Sequence, residues 1–211
     1  MRLITAPVLL AGLLAALPLA AANRSVYGPE APGDSAFVRI VNAVPGSGPL
    51  EAELGATRFD PLPYAQASPY RPVTPDIYLF SAGSAEQEII PGSGRYYTVA
   101  VLPDAIVVLE DPAHTDPARA QVFLYNLSSL ARVELTTADG KTKVIPGVAS
   151  RSSGLAVVNA VAARLAVKSG GTQVKAIGDL GLARGSSTSV FVLGGVSSPV
   201  VFTLKAAVQV E

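Results

Sequence analysis

The chain contains no cysteine, no tryptophan and a single histidine, His114. Without cysteine it can form neither a disulfide nor a lipidated cysteine anchor. With one imidazole and no thiolate, a transition-metal site would lack its usual donors, so Glu110, Asp111 and Asp116 read as solvated charges of a connecting segment and no metal or other cofactor is expected. An excess of one charge is missing too. Sixteen Lys and Arg balance sixteen Asp and Glu, which leaves no net field to draw in nucleic acid or an anionic membrane, and makes a polyanionic polymer no obvious direct ligand. Aromatic residues make up 6% of the chain, few for a protein that grips sugars by stacking. After residue 19, no apolar run approaches the roughly 20 residues that span a bilayer as a helix, so no membrane insertion is expected. Gly178-Asp179-Leu180-Gly181 and Gly194-Gly195 lack the lysine and the strand-to-helix setting of a phosphate loop and read as turns.

One apolar run is present. Arg2 precedes Leu3 to Leu19, and Ala20-Ala21-Ala22 offers a small-x-small cleavage site before Asn23, the pattern of an export signal occupying residues 1–22. An uncleaved N-terminal anchor is the alternative. Export followed by cleavage predicts a soluble exported protein.

Seventeen prolines and nineteen glycines punctuate short runs rich in valine and leucine, which excludes long helices and predicts many short strands joined by turns. An internal echo divides these strands. Ala36-x-Val38-x-Ile40-x-Asn42 returns as Ala120-x-Val122-x-Leu124-x-Asn126, and Glu88-Ile89-Ile90 followed by glycines and Tyr97-x-Val99-x-Val101 has the same order as Val174 to Ile177, Gly185 and Ser189 to Leu193. Proline-flanked Asp111 to Pro117 reads as a linker. The fold class expected is therefore all-β, with two tandem antiparallel β-sandwich domains after a cleaved signal peptide: an N-terminal sandwich over 23–112 and a C-terminal one over 118–211. Tyr64 to Pro75 reads as a long loop that Tyr64 and Tyr70 either pack down or present to a partner, Ala207 to Val210 as a last strand, and Ala138-Asp139-Gly140-Lys141 as a hairpin turn. Arg39 should project to the face opposite Val38 and Ile40, where a solvated or cross-strand-paired guanidinium and a partner contact are both open readings.

The block Tyr27-Gly28-Pro29, Ala31-Pro32 and Ser35-Ala36-Phe37-Val38-Arg39, closing on Asn42-Ala43, joins a proline-stiffened arm to the first strand. It resembles the start of the mature AlgF family, the periplasmic alginate O-acetylation accessory proteins, and Thr136 to Val144 resembles that family's TADGKT hairpin. Glu30, Gly33 and Asp34 depart from the family string and leave room for another polymer, such as acetylated cellulose. The resemblance implies a non-catalytic adaptor in exopolysaccharide O-acetylation, alginate first, whose partners are a membrane O-acyltransferase and a periplasmic SGNH-type acetyltransferase, with the polysaccharide as a further contact. Tyr27, Gly28, Pro29, Pro32 and Arg39 are the candidate partner-binding residues.

Two rivals come from other classes. Gly33-Asp34-Ser35 and Asp111-Pro112-Ala113-His114 carry the letters of an SGNH hydrolase, a serine nucleophile with its base and orienting acid. Their positions, before the first strand and in a mid-chain linker, do not match a parallel α/β sheet, so catalytic residues are expected to be absent. A carbohydrate-binding module would rely on Tyr64, Tyr70, Tyr96 and Tyr97 as sugar platforms.

Overall fold

The computed structural model describes residues 31–210, and within them every regular element is a strand. The proposed signal and its cleavage point, and Tyr27, Gly28 and Pro29 of the proposed docking arm, lie outside the described residues. None of the described residues belongs to a helix long and apolar enough to cross a membrane.

The first half holds β1 (Ala36–Asn42), β2 (Leu50–Leu54), β3 (Thr57–Leu62), β4 (Gln66–Ala67), β5 (Arg71–Val73), β6 (Tyr78–Ala82), β7 (Ala85–Ile89), β8 (Tyr96–Val101) and β9 (Ile106–Asp111). The second holds β10 (Ala120–Ser128), β11 (Arg132–Thr137), β12 (Lys143–Ala149), β13 (Ser152–Val158), β14 (Arg164–Ser169), β15 (Thr172–Asp179), β16 (Ser187–Gly195) and β17 (Ser198–Lys205). Three strands of the first half are not legible as such. Tyr64 to Pro75, expected as loop, contributes β4 and β5, which pair in turn along one edge of β1; proline is tolerated at such an edge. β3 escapes notice because Asp60 and Pro61 break its alternation. The expected last strand at Ala207 to Val210 is reduced to a strap: Ala207 O accepts from Tyr70 N at 2.9 Å, and Gln209 N donates to Tyr70 O at 2.8 Å.

The two halves are built alike. One sheet of the first runs β4/β5-β1-β8-β9 and the other β3-β2-β6-β7; in the second, β13-β10-β16-β17 faces β12-β11-β14-β15. The sequence echo thus has a topological counterpart, since β1 and β10 hold the same place, as do β7 and β15, and β8 and β16. Antiparallel pairing dominates, but each half has one parallel ladder, between its first strand and its penultimate one. The repeated asparagines have a physical role in this plan. Asn42 and Asn126 are both fully buried, and each reaches from its strand to the facing sheet: Asn42 Nδ2 donates to Leu62 O at 2.8 Å, and Asn126 Nδ2 to Val148 O at 3.1 Å. Each also caps the next turn, through Val44 N and Ser128 N respectively.

Every sandwich has its own core. Val38, Ile40, Leu54, Phe80 and Val99 fill the first, and Val122, Leu124, Leu135, Val167 and Val190 the second. A third core lies between the halves, where Val41, Ala43, Ala100 and Leu102 meet Phe123, Tyr125, Leu127, Phe191 and Leu193. The sheets built on β1 and β10 are therefore covered on both faces, which is why all nine residues of β10 are buried. The result is four layers around three cores. We propose that the halves are nevertheless separate folding units with the boundaries 23–112 and 118–211, because each retains two complete sheets. Fragments with those boundaries should each give a β circular dichroism spectrum and should form a 1:1 complex when mixed, seen by size-exclusion chromatography, since each alone exposes its share of the third core. Two unfolded fragments would refute the boundaries.

Candidate functional site

A carboxylate and a guanidinium sit at the centre of the third core. Asp111 ends β9 and is 2% exposed; Arg39, from the middle of β1, is 1% exposed. Arg39 does project opposite Val38 and Ile40, as strand alternation requires, but that face is covered by the second half. It is therefore not available as the outer partner contact considered from sequence. Asp111 is no solvated linker charge either, since the connection begins after it, at Pro112.

The charges are 3.8 Å apart, Arg39 Nη2 to Asp111 Oδ2, and hydroxyls bridge them. Thr98 Oγ1 accepts from Arg39 Nε at 2.8 Å and donates to Asp111 Oδ2 at 2.5 Å. Tyr125 OH accepts from Arg39 Nη2 at 2.7 Å and donates to Asp111 Oδ1 at 2.6 Å. Tyr70 OH adds a third bond to the carboxylate at 2.7 Å, and Ser189 Oγ lies 2.9 Å from Arg39 Nη2. The rings of Tyr70, Tyr125 and Phe191 surround the guanidinium, with centroids 4.5, 5.3 and 5.2 Å away. Tyr125 stacks on Phe191, which in turn stacks on Phe202. Arg39, Tyr70, Thr98 and Asp111 come from the first half, Tyr125, Phe191 and Ser189 from the second. This is an interdomain clamp. Burial pushes both phenols above their ordinary range; Arg39 opposes and Asp111 reinforces that rise, so Tyr70 and Tyr125 remain neutral donors to the carboxylate.

Beside the clamp lies a cleft of about 270 Å³ lined by Tyr70, Tyr96, His114, Gln121, Ser187 and Ala207 among others. His114 Nε2 is buried there with no hydrogen-bond partner. The hydrolase constellation is not assembled: Asp111 is engaged by Tyr70, Thr98, Tyr125 and Arg39, and neither it nor Ser35 is hydrogen bonded to His114. Ser35 is 4% exposed. Pro32 is exposed at the start of the described residues, its carbonyl closing a turn with Ser35 N at 3.0 Å. Among the described residues, no group of three or more His, Asp or Glu is arranged to hold a metal ion. The tyrosines weighed as sugar platforms are turned to packing. Tyr70 and Tyr97 are buried, Tyr96 stacks on Phe37 with centroids 4.5 Å apart, and Tyr64 packs against the third core.

A sequence model of the family described as alginate O-acetyl transferase AlgF matches residues 8–189. The chain belongs to the AlgF family. The alginate biosynthesis protein AlgF of Pseudomonas aeruginosa is 32% identical over 86% of this chain and 83% of its own length. That of Pseudomonas syringae pv. tomato is 31% identical over 93% and 88%. A solved structure of the C-terminal domain of AlgF from P. aeruginosa, 33% identical, covers 42% of this chain and 98% of its own with a TM-score of 0.39, too loose a superposition to argue from. The relatives are named for alginate biosynthesis, and the family's description names alginate O-acetyl transfer.

The clamp was missed in the sequence because its members lie up to 150 residues apart. Only the lone arginine in the apolar run Phe37 to Val41 hinted at it. Asp111→Ala should lower stability to urea by about 3–5 kcal/mol, the cost of leaving a buried cation without its partner, and adding Arg39→Met should recover most of the loss. Additive losses in that cycle would refute the pairing.

The raised phenols give the clamp a pH signature. A folded state that holds these protons more tightly than the unfolded chain is fully stabilised by them below the ordinary tyrosine value of about 10 and loses that stability as pH rises past it. Unfolding free energy should fall above about pH 10, with Tyr70 and Tyr125 each contributing a slope of up to about 1.4 kcal/mol per pH unit. Tyr125→Phe should remove its share of that slope, as measured by urea titration at several pH values.

Proposed function

We propose that this chain is a non-catalytic periplasmic adaptor for exopolysaccharide O-acetylation, alginate first, joining a membrane O-acyltransferase to a periplasmic SGNH-type acetyltransferase. The observation that carries this reading is the commitment of Asp111 to the clamp. A serine hydrolase needs its acid to orient an imidazole and its imidazole to reach a serine; here the only histidine is bonded to neither residue. What the described residues offer instead is a pair of sandwiches held in fixed relation, with two outer sheets, those of β2 and β11, left for partners. Holding two enzymes close raises the effective concentration of one for the other, up to the mM range for short tethers, without new chemistry. The exported arm of Tyr27, Gly28, Pro29 and Pro32 remains our choice for one docking element, with Arg39 acting from the interior to hold the first strand behind it. A carbohydrate-binding module that works by aromatic stacking gains no support from the packing of the four tyrosines.

Deleting the gene should strip acetyl groups from the secreted polymer while leaving the amount of polymer nearly unchanged, as read by proton NMR of acetyl per sugar. Restoring the Ser35→Ala or His114→Ala chain should return acetylation to normal. Normal acetylation in the deletion strain would end the adaptor reading, and failure of both alanine variants, with folded protein present, would revive the esterase.

A further inference from the structure

On the far side of the first core from the clamp, the sheet β3-β2-β6-β7 turns its outer face to solvent. Strand alternation sorts its residues: Tyr78, Phe80, Ala82 and Ile89 pack into the first core, so Leu79, Glu86 and Glu88 face outward. Ile77 precedes Tyr78, and Ile90 follows Ile89, the cross-strand partner of Tyr78, which places both isoleucines on the outer face as well. Each is 62% exposed, and Leu79 is 55% exposed. Single apolar side chains on a surface are ordinary; three large ones side by side make a patch. Carboxylates surround it. Glu88 lies directly across from Leu79, Glu86 across from Ser81, Asp76 adjoins Ile77, and Glu51 and Glu53 lie on the neighbouring strand β2. Residues 76–90 hold three carboxylates and no Lys or Arg. Glu53 is paired with Arg58 at 3.0 Å, whereas among the described residues Glu51, Asp76, Glu86 and Glu88 form no ion pair. Charged side chains alone would keep β7, an edge strand of this sheet, from pairing with other sheets. They give no reason to leave an aliphatic centre in water.

We propose that this face docks a folded, soluble protein whose contact surface carries an apolar centre ringed by Lys and Arg; in the adaptor reading, on which the proposal rests, that protein is the periplasmic acetyltransferase. Protein interfaces have this build, apolar at the core and polar at the rim, and rim charges of opposite sign set the on-rate and the orientation of docking. The charge of the molecule narrows the occupant. Residues 31–112 carry ten Asp and Glu against four Arg, a net −6, so an anionic membrane surface or a polyanion repels this half. The soluble enzyme therefore fits the face better than the membrane O-acyltransferase does. A second copy of the chain offers matching charge, since residues 113–210 carry ten Lys and Arg against four Asp and Glu, a net +6. Its basic outer sheet lacks the apolar centre, however, because none of the exposed large hydrophobic residues lies on β11, β12, β14 or β15.

The test is biolayer interferometry of the full-length mature chain against the purified periplasmic acetyltransferase. Binding is expected, with association slowing by about tenfold between about 20 and 200 mM NaCl. The double variant Leu79→Ser/Ile90→Ser should bind at least about tenfold more weakly, through faster dissociation. Glu86→Lys/Glu88→Lys should associate more slowly and lose most of the salt dependence. Both variants change exposed side chains and should keep the unfolding midpoint of the parent chain. Absence of binding by the parent chain, or unchanged binding by either double variant, would overturn the proposal. So would a dimer of the parent chain in light scattering that Leu79→Ser/Ile90→Ser dissociates, or binding to phosphatidylglycerol vesicles that the same variant abolishes. The adaptor reading fails separately: normal acetylation in the deletion strain ends it whatever the rates show, whereas loss of acetyl groups in that strain together with unchanged binding by the variants ends only the docking face.

Discussion

The geometry of the molecule depends on one buried carboxylate. Asp111 closes the last strand of the first sandwich, and its two oxygens take three hydroxyl donors, of which Tyr125 belongs to the second sandwich. A charge removed from water is costly unless it is paired and its lone pairs are satisfied. Here satisfaction can be complete only when the halves sit in one relative position. The apolar surface between them supplies attraction without direction; the clamp supplies direction. Thr98 and Tyr125 each accept from Arg39 and donate to Asp111, so loss of either hydroxyl unbalances both charges at once.

That constraint bears on function in two ways. It commits the one carboxylate that sequence motifs would offer to His114, which explains how a chain with the letters of a serine hydrolase lacks its arrangement. It also fixes the relation between the outer sheets. Those sheets differ in charge: Glu51, Glu86, Glu88 and Asp76 belong to the first half, with the exposed Ile77, Leu79 and Ile90 on the hairpin of β6 and β7, while Arg132, Lys143, Lys168 and Lys175 belong to the second. An adaptor needs distinct surfaces held in a defined relation, and tandem copies of one fold provide them once their surfaces diverge. The halves share the arrangement of their strands, while the residues on their outer faces differ in charge.

Much of the fold was legible in the sequence. β1, β2 and β6 fall where their alternation puts them, and the Asp-Gly turn joins β11 to β12 as its chemistry demands, with Gly140 at φ 72°. The echo between Ala36 to Asn42 and Ala120 to Asn126 was readable because both strands must present small and branched residues to a core and both carry an asparagine that reaches the facing sheet. β3, β4 and β5 were not legible, since a short edge strand interrupted by proline carries little periodicity. The family block at Tyr27 to Ala43 and the hairpin at Thr136 to Val144 were sufficient to indicate the family.

Composition and local pattern, by themselves, determined the all-strand architecture, its duplication, the family and the absence of thiol chemistry, because each of these follows from residue types and spacings along the chain. Only the tertiary structure decided the fate of the charges. Whether Arg39 faces water or a second protein layer, whether Asp111 serves a histidine or a clamp, and whether Arg132, Lys143, Lys168 and Lys175 are scattered or share one sheet all depend on contacts between residues distant in sequence. Burial and electrostatic pairing are properties of three-dimensional neighbourhoods, and no one-dimensional pattern of these residues records them.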